Sequence, residues 1–313
     1  MTATTRMASD IEEVLPPGNR KLDNPWLERR VLAYAHQGGA WEAPSSTLHA
    51  IRCALAAGAT GIELDVHATV DGELVVCHDA TVDRTTNGTG AIASMTLAEI
   101  RRLDNGYWFV PGSDVSPGLP PETYPYRGRA PEDPDLRIAT VREVLELLER
   151  FPGVALNLDI KQTAPTVEPY EEPLARLLAE HGWRDDVIVA SFLDGATSRF
   201  SELEPDLPTS AGMLAVGAFW QTVHDGREPP ALLAVALQVP ETYGEVVVVD
   251  ERFVEAAHEA GIAVHVWTVN DEAAMRRLVA LGVDGIISDV PTTLSRVLGD
   301  LGASWRPPGA AAG

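Results

Sequence analysis

The feature that most constrains the fold is a repeated alternation of short apolar runs with helical segments. From Val141 onward, predicted helices and apolar runs of strand length follow one another to the end of the chain. Helices between consecutive strands are typical of a parallel sheet, so this order predicts an α/β fold. About eight such units favour a closed (β/α)8 TIM barrel in a single domain, with a small hairpin and loop insertion, over an open sheet.

The elements follow from periodicity, caps and turn residues. The predicted strands are 31–35, a hairpin at 61–79, 154–161, 187–192, 209–214, 232–239, 262–269 and 285–289. The predicted helices are 48–57, 96–103, 141–150, 171–181, 196–203, 251–260, 271–281 and 292–301, with a helical turn at 217–224. We expect Ser45 or Ser46 to cap the first helix, and Thr140 with Glu143 to form a capping box on the third.

The domain organisation follows from composition along the chain. Residues 1–30 carry mixed charge and are predicted to be a leader, residues 31–302 the barrel, and residues 303–313 a flexible tail. Residues 105–136 contain seven prolines, too many for a regular element, and are predicted to be a loop excursion at the barrel mouth. No Gly-x-Gly-x-x-Gly follows a strand, which disfavours a nicotinamide oxidoreductase.

The charge balance restricts the partners. The chain has 46 acidic against 24 basic residues, a net charge of −22, which disfavours nucleic acid and anionic membrane surfaces. A compact anionic substrate would need a local cation. No apolar run reaches membrane-spanning length, residues 1–30 contain no apolar core of signal-peptide length, and two cysteines make no disulfide framework. We therefore expect a cytoplasmic protein without an integral membrane segment; its oligomeric state stays open.

The hairpin at 61–79 carries the first candidate site. Glu63 and Asp65 are two residues apart on one strand, so both carboxylates leave the same face, and His67 continues that face. Two carboxylates aimed at one point repel each other unless a cation or a proton lies between them. Oxygen ligands suit a hard divalent ion such as Mg²⁺ or Ca²⁺. The alternative is the solvated polar face of an edge strand.

Further polar or aromatic residues end other predicted strands. In a barrel, the C-terminal ends of the strands converge on one mouth, where barrel active sites lie. The residues at these ends are His36, Glu63, Asp65, His78, Asp159, Lys161, Ser191, Trp267 and Asp289. So many at matching ends indicate a shared site.

Six motifs in register resemble the glycerophosphodiester phosphodiesterase family over about residues 31–300. They are His36-Gln37-Gly38-Gly39, Pro44-Ser45-Ser46-Thr47, Glu63-Leu64-Asp65-Val66, His78-Asp79, Leu156-Asn157-Leu158-Asp159-Ile160-Lys161, and Val264 to Asn270 followed by Gly282 to Asp289. The resemblance implies a (β/α)8 barrel, in agreement with the strand count. It also implies hydrolysis of glycerophosphodiesters to sn-glycerol 3-phosphate and an alcohol.

The resemblance assigns roles position by position. Glu63, Asp65 and Asp159 would bind Mg²⁺ or Ca²⁺, and His36 and His78 would act as acid and base. The substrate-binding residues would be Gln37, Lys161 facing the phosphate, and Trp267 in the pocket. Three positions depart from the family pattern: Gln37 replaces an arginine, Ser45 replaces a glutamate, and Asp159 replaces a longer glutamate. These departures leave the choice of substrate open.

Alternative functions remain beside this prediction. One is a lysophospholipase D-type enzyme acting on lipids, which would need an apolar groove at the mouth, and residues 105–136 could supply it. Another is a non-catalytic barrel that binds anionic metabolites, which loss of a histidine or an acidic ligand would favour; none is lost. The nucleophile stays open between water and the neighbouring glycerol hydroxyl.

Overall fold

The computed structural model describes residues 24–113, 115–161 and 170–305. Seven parallel strands form a curled sheet in the order β5-β4-β2-β1-β10-β9-β6. They are β1 (Leu32–His36), β2 (Gly61–Ala68), β4 (Ala155–Ile160), β5 (Val187–Ala190), β6 (Ala236–Pro240), β9 (Ala263–Trp267) and β10 (Gly285–Ser288). The antiparallel partners are β3 (Leu74–Val76), on β2, and a separate ribbon of β7 (Thr242–Tyr243) with β8 (Val246–Val247).

Helices cover the outside of the sheet. They are α1 (Leu48–Ala56), α2 (Leu97–Ile100), α3 (Val141–Leu148), α4 (Glu171–Glu180), α5 (Asp194–Leu203), α6 (Met213–His224), α7 (Glu251–Glu259), α8 (Glu272–Leu281) and α9 (Pro291–Asp300). Alternate strand residues such as Leu64 and Val66 pack under them in the hydrophobic core. The predicted α/β barrel and the hairpin at 61–79 are confirmed. No helix in the described residues is long and apolar enough to cross a membrane.

The eighth barrel strand is far shorter than the predicted 209–214. Only Thr209 and Ser210 bridge the gap between β5 and β6, by single parallel bridges to Val189 and Ala236. The prediction was wrong because Asp194 ends the strand: its carboxylate accepts hydrogen bonds from the Leu214 and Ala215 amides, at 2.9 and 3.0 Å. Helix α6 therefore starts at Met213, not at residue 217. Two residues are enough to close the barrel.

Side-chain caps explain where two other helices begin. The capping box at Thr140 and Glu143 is confirmed in both directions. The cap predicted at Ser45 or Ser46 was wrong, because Thr47 accepts the hydrogen bond from the Ala50 amide, at 3.0 Å. Ser46 instead has a φ of 59°, in the left-handed region, and its amide donates to the Gln37 carbonyl.

The bottom of the barrel is closed by part of the predicted leader. Residues 25–28 form a 3₁₀ helix whose Trp26 is fully buried under the strands. Asn24 fastens this segment, since its Nδ2 donates to the carbonyls of Val235 and Gly261 at 2.7 and 2.9 Å. The described end of the leader is thus packed on the barrel, while residues 1–23 and 306–313 lie outside the described residues.

Residues 105–136 contain two short 3₁₀ helices, Pro121–Thr123 and Pro134–Leu136, and little other regular structure. The segment is organised around Arg127, whose guanidinium lies 4.2 Å from the Tyr107 ring centroid and 3.7 Å from that of Tyr124. Cation–π contacts of this kind hold an irregular segment together without a sheet.

His265 is a core histidine. It is fully buried, touches the rings of Trp26 and Tyr34, and has Gln238 Nε2 3.4 Å from its Nδ1. Burial opposes the charged ring and lowers the pKa of His265 to about 4. The folded protein therefore resists protonation there, whereas the unfolded chain takes up the proton near pH 6.5.

This difference predicts a pH dependence of stability. The pKa of His265 is lower in the folded protein than in the unfolded chain. The contribution of the neutral His265 ring to the free energy of unfolding is therefore present above pH 6.5 and is lost as the pH falls toward 4. Wild type should lose about 3 kcal/mol more unfolding free energy between pH 7 and pH 4 than His265→Gln. Urea unfolding of both proteins at several pH values measures this. Parallel pH profiles would contradict it.

Candidate active site

A cavity of about 510 Å³ opens at the C-terminal ends of the barrel strands. Seven of the eight predicted site residues line it: His36, Glu63, Asp65, His78, Asp159, Lys161 and Trp267. Gln37 is the exception, and lies buried behind His36. None of the described residues of 105–136 lines the cavity. The prediction that this excursion could supply an apolar groove was therefore wrong.

Strand register brings the charged groups together. On β2, Glu63 is opposite His36 of β1, and Asp65 is opposite Asp159 of β4. Residues two apart share a strand face, so both carboxylates of β2 point into the barrel while Leu64 packs outward. The alternation read from the sequence is thus the geometric origin of the site.

His36 is held by a second carboxylate. Its Nδ1 lies 2.6 Å from Asp289 Oδ1, and Asn270 Nδ2 donates to the other oxygen of Asp289 at 2.7 Å. Burial alone lowers the pKa of His36, but the Asp289 hydrogen bond and the Glu63 charge outweigh it and raise the pKa to about 9. A carboxylate on Nδ1 orients the ring and leaves Nε2 for chemistry.

His78 is held in the same way. Its Nδ1 lies 2.7 Å from Asp79 Oδ1, and Arg84 Nε donates to the other oxygen of Asp79 at 2.8 Å. The hydrogen bond from His78, with the Arg84 charge, lowers the pKa of Asp79 to about 2 against a smaller opposing effect of burial. The ring centroids of His36 and His78 are 6.1 Å apart. Two oriented imidazoles therefore face the same cavity.

Two of the three carboxylates share the Lys161 ammonium. Lys161 Nζ lies 2.9 Å from Asp65 Oδ1 and 3.2 Å from Asp159 Oδ2. The other oxygens, Asp65 Oδ2 and Asp159 Oδ1, are buried and have no hydrogen-bond partner among the described residues. Burial and then the Asp65 charge raise the pKa of Glu63 to about 8. Burial also raises the pKa of Asp159, against the Lys161 charge.

This donor set fits a hard divalent cation. Glu63, Asp65 and Asp159 offer carboxylate oxygens, two of them buried and unpartnered, and carboxylates are the ligands that Mg²⁺ and Ca²⁺ prefer. As the side chains stand, no three His, Cys, Asp or Glu residues of the described ranges are close enough together to bind one ion. The Lys161 ammonium bridges Asp65 and Asp159 instead.

Gln37 and Trp267 complete the predicted set. Gln37 has a φ of 52°, its Nε2 lies 3.2 Å from His36 Nε2, and its amide donates to Glu63 Oε2 at 3.2 Å. Trp267 makes an edge-to-face contact with Phe192 at 5.4 Å between centroids. The ring of Phe192 in turn lies 5.4 Å from Lys161 Nζ. Phe192 thus lies between the Trp267 ring and the Lys161 ammonium.

Sequence reasoning assigned no role to the groups behind the histidines. Asp289 ends a predicted strand and Asp79 directly follows His78, but nothing in the sequence pattern links either carboxylate to a ring nitrogen. Asn270 is far from His36 in sequence, and only the fold places it behind Asp289. The polar Asn157–Gln238 pair on the cavity wall, 3.0 Å between Oδ1 and Nε2, was also missed.

The closed barrel and the charged cavity at its C-terminal mouth define a barrel enzyme. The sequence model of the Glycerophosphoryl diester phosphodiesterase family matches residues 36–293, and the chain belongs to that family. A glycerophosphodiester phosphodiesterase of Caldanaerobacter subterraneus is 32% identical over 85% of this chain and 96% of its own. One from Bacillus subtilis is 31% identical over 86% of each chain.

A solved structure shows the same architecture. It is an Oleispira antarctica phosphodiesterase in complex with the product sn-glycerol-3-phosphate, and it is 25% identical to this chain with a TM-score of 0.67. The match covers 88% of this chain and 99% of that one. The barrel predicted from the alternation of elements thus agrees with an independent structure.

Proposed function

We propose that this protein is a metal-dependent phosphodiesterase that hydrolyses glycerophosphodiesters to sn-glycerol 3-phosphate and an alcohol. The observation that carries the proposal is the pair of carboxylate-oriented histidines, 6.1 Å apart, beside three acidic side chains in one cavity. The relatives are glycerophosphodiester phosphodiesterases, which supports the substrate class. The sn-glycerol-3-phosphate bound to the Oleispira enzyme supports cleavage of the bond between phosphorus and the alcohol's oxygen.

Each group has a part in this chemistry. Glu63, Asp65 and Asp159 would hold Mg²⁺ or Ca²⁺, which would supply positive charge beside the phosphate oxygens. One of the two histidines takes the proton from the attacking oxygen, and the other gives a proton to the departing alcohol. Asp289 and Asp79 keep the rings in the tautomer that has Nε2 available.

The substrate is a small phosphodiester, bound by Lys161 and Trp267. Gln37 does not line the cavity, and it acts on the substrate through its contact with His36 Nε2. A cytoplasmic enzyme that does not bind nucleic acid fits the net charge of −22 and the two cysteines. Residues 31–302 form the catalytic domain in this proposal, and the described part of the excursion at 105–136 lies outside the cavity wall.

The test is a substrate panel with and without metal. Glycerophosphocholine, glycerophosphoethanolamine and glycerophosphoglycerol are incubated with protein treated with chelator, and then with added Mg²⁺ or Ca²⁺. We expect turnover of at least one of them that requires an added ion. No turnover of any phosphodiester, with either ion, would reject the proposal.

Lys161 and Gln37 are predicted to differ in importance. Lys161→Ala removes a full charge from the phosphate side of the cavity, while Gln37→Ala removes neutral hydrogen-bonding groups. Charge-assisted hydrogen bonds contribute about 1.5–3 kcal/mol and neutral ones about 0.5–1.5 kcal/mol. We expect kcat/KM to fall about ten- to a hundredfold for Lys161→Ala and about tenfold or less for Gln37→Ala. A larger loss of kcat/KM for Gln37→Ala than for Lys161→Ala would mean that the phosphate does not lie beside Lys161.

A further inference from the structure

The inward-facing side chains along β4 lead from the barrel mouth toward its interior. Lys161, Asp159 and Asn157 follow one another at intervals of two residues, and all three line the cavity. Because a strand rises about 3.3 Å per residue, Asn157 lies about 6.6 Å deeper in the barrel than Asp159. Asn157 is also opposite Glu63 in the register of β2 and β4. Its side chain therefore lies at the floor of the cavity, below the groups that face the phosphate.

Two further polar side chains line the cavity beside Asn157. Gln238 of β6 reaches across the barrel interior, and its Nε2 donates a hydrogen bond to Asn157 Oδ1 at 3.0 Å. Ser210 belongs to the two-residue eighth strand and bridges to Ala236 of β6. We call Asn157, Ser210 and Gln238 the polar floor. The wall along α6 and the β7–β8 ribbon is, by contrast, mostly hydrocarbon and aromatic.

The polar floor has hydrogen-bonding atoms that the protein does not use. Asn157 Nδ2, Gln238 Oε1 and Ser210 Oγ have no hydrogen-bond partner among the described residues, and none of the three is sealed from solvent. Asn157 and Ser210 are only 2% and 3% exposed, so the surface that remains accessible faces the cavity. Reversing both amides would keep the Asn157–Gln238 bond and again leave one donor and one acceptor free.

A hydroxyl group fits these atoms. It donates to Gln238 Oε1 and accepts from Asn157 Nδ2, whereas a phosphate oxygen only accepts and an ammonium group only donates. The space is also limited in depth. His265 lies directly behind Gln238, and its ring contacts the buried rings of Tyr34 and Trp26, which close the barrel below. The polar floor therefore suits a small, uncharged group that carries a hydroxyl.

The glycerol end of a glycerophosphodiester matches this depth. Its terminal hydroxyl oxygen is four covalent bonds from the phosphate ester oxygen, about 5 Å in an extended chain. That span is comparable with the step of about 6.6 Å from Asp159 to Asn157. A phosphate beside Lys161 thus leaves the terminal hydroxyl within reach of the polar floor.

We propose that the polar floor binds the terminal hydroxyl of the substrate's glycerol unit, so that glycerol points into the barrel and the leaving alcohol points to the mouth. This inference rests on the proposed phosphodiesterase function and names the residues that select glycerol. Asn157, Ser210 and Gln238 are then specificity-determining residues, separate from the histidines and the carboxylates that perform the reaction.

The first test removes the terminal hydroxyl from the substrate. 2-Hydroxypropyl phosphocholine keeps the choline and the hydroxyl next to the phosphate ester, and it differs from glycerophosphocholine only in the missing terminal hydroxyl. Its binding would leave polar atoms of the floor unpaired, so wild type should prefer glycerophosphocholine by at least about tenfold in kcat/KM. Equal kcat/KM values for the two substrates would overturn the proposal.

The second test removes the receiving atoms. Gln238→Met keeps the length of the side chain without its amide, and should lower the preference for glycerophosphocholine at least about threefold. Because the preference is a ratio, a general loss of activity cancels. Ser210→Ala, on another strand, carries the same expectation in case Gln238→Met fails to fold. The matched control, Gln221→Met, makes the same change on the exposed face of α6 and should leave the preference unchanged. An unchanged preference in a folded floor variant would overturn the proposal.

A binding measurement separates this inference from the phosphodiesterase function. sn-Glycerol 3-phosphate and 2-hydroxypropyl phosphate are titrated calorimetrically, with Mg²⁺ present, into wild type and Gln238→Met. Wild type should bind sn-glycerol 3-phosphate at least about tenfold more tightly, and the variant should lose most of that difference.

The outcomes of the two experiments are distinguishable. Selective binding of sn-glycerol 3-phosphate without turnover of any phosphodiester would reject the function but keep the polar floor. Turnover of glycerophosphocholine with equal affinity for the two monoesters would keep the function and overturn the polar floor. Discrimination between glycerophosphocholine and glycerophosphoethanolamine that disappears in Gln238→Met would assign the floor to the leaving alcohol and overturn the proposal too.

Discussion

Replacing Glu63 by Gln should lower kcat/KM by about a thousandfold or more while leaving the protein folded. The substitution keeps the shape of the side chain and removes one anionic ligand from the carboxylate cluster, and a metal ion in such a site supplies several kcal/mol of charge stabilisation. Burial raises the pKa of Glu63 to about 8, so the ionised carboxylate is disfavoured in the metal-free fold. The thermal unfolding midpoint should therefore stay the same or rise.

Two measurements accompany this variant. Titration calorimetry should show weaker binding of Mg²⁺ or Ca²⁺ to Glu63→Gln than to wild type, which separates a ligand role from a general defect. Glu122→Gln, on the exposed 3₁₀ helix at 121–123, makes the same chemical change away from the cavity and serves as the control. Undiminished turnover by Glu63→Gln would remove this residue from the metal site.

Replacing either His36 or His78 by Asn should lower kcat/KM on glycerophosphocholine by about 10²- to 10⁴-fold. Asparagine keeps a donor near the position of Nδ1, so the contact with Asp289 or Asp79 can survive while the group at Nε2 is lost. A substrate with a p-nitrophenyl leaving group needs no protonation of the departing oxygen. One of the two variants, the one that lacks the acid, should recover activity on that substrate.

The same assignment predicts a bell-shaped dependence of kcat/KM on pH, because one imidazole must be neutral while the other is protonated. The apparent pKa values belong to the pair. A rate that rises steadily from pH 5 to pH 9, or rescue of both variants by the activated leaving group, would argue against opposed roles.

The barrel was predictable because its signal is repeated. Seven strands stand close to their predicted places, and helices separate successive parallel strands, some of them with a side-chain cap such as the one at Thr140. The exception, 209–214, shows the limit of periodicity. Short apolar runs are compatible with either a strand or a helix. Here the Asp194 carboxylate, which lies outside the run, accepts hydrogen bonds from the Leu214 and Ala215 amides and so favours the helix. That contact depends on tertiary structure and leaves no local signal.

The residues on the strands of the site were predictable from the same pattern, but the residues that hold the two histidines were not. Residues on the inward face of the strands, such as Glu63 and Asp159, follow from alternation and register. The partners of the histidines depend on the fold, since Asn270 reaches His36 only through Asp289. The apolar lining was assigned to the wrong segment because an uncharged helix such as α6 is expected to be buried, and proline-rich excursions are expected at a rim.

The most direct test of the metal-dependent phosphodiesterase is a phosphorus NMR experiment on a mixture of glycerophosphocholine, glycerophosphoethanolamine and glycerophosphoglycerol. Chelator-treated protein is added first, and Mg²⁺ or Ca²⁺ is then restored in the same tube. The account predicts no change before the ion is added, and afterwards a new monoester signal that coincides with authentic sn-glycerol 3-phosphate. Conversion that proceeds at the same rate in the chelator, or phosphocholine as the phosphorus product, would contradict it.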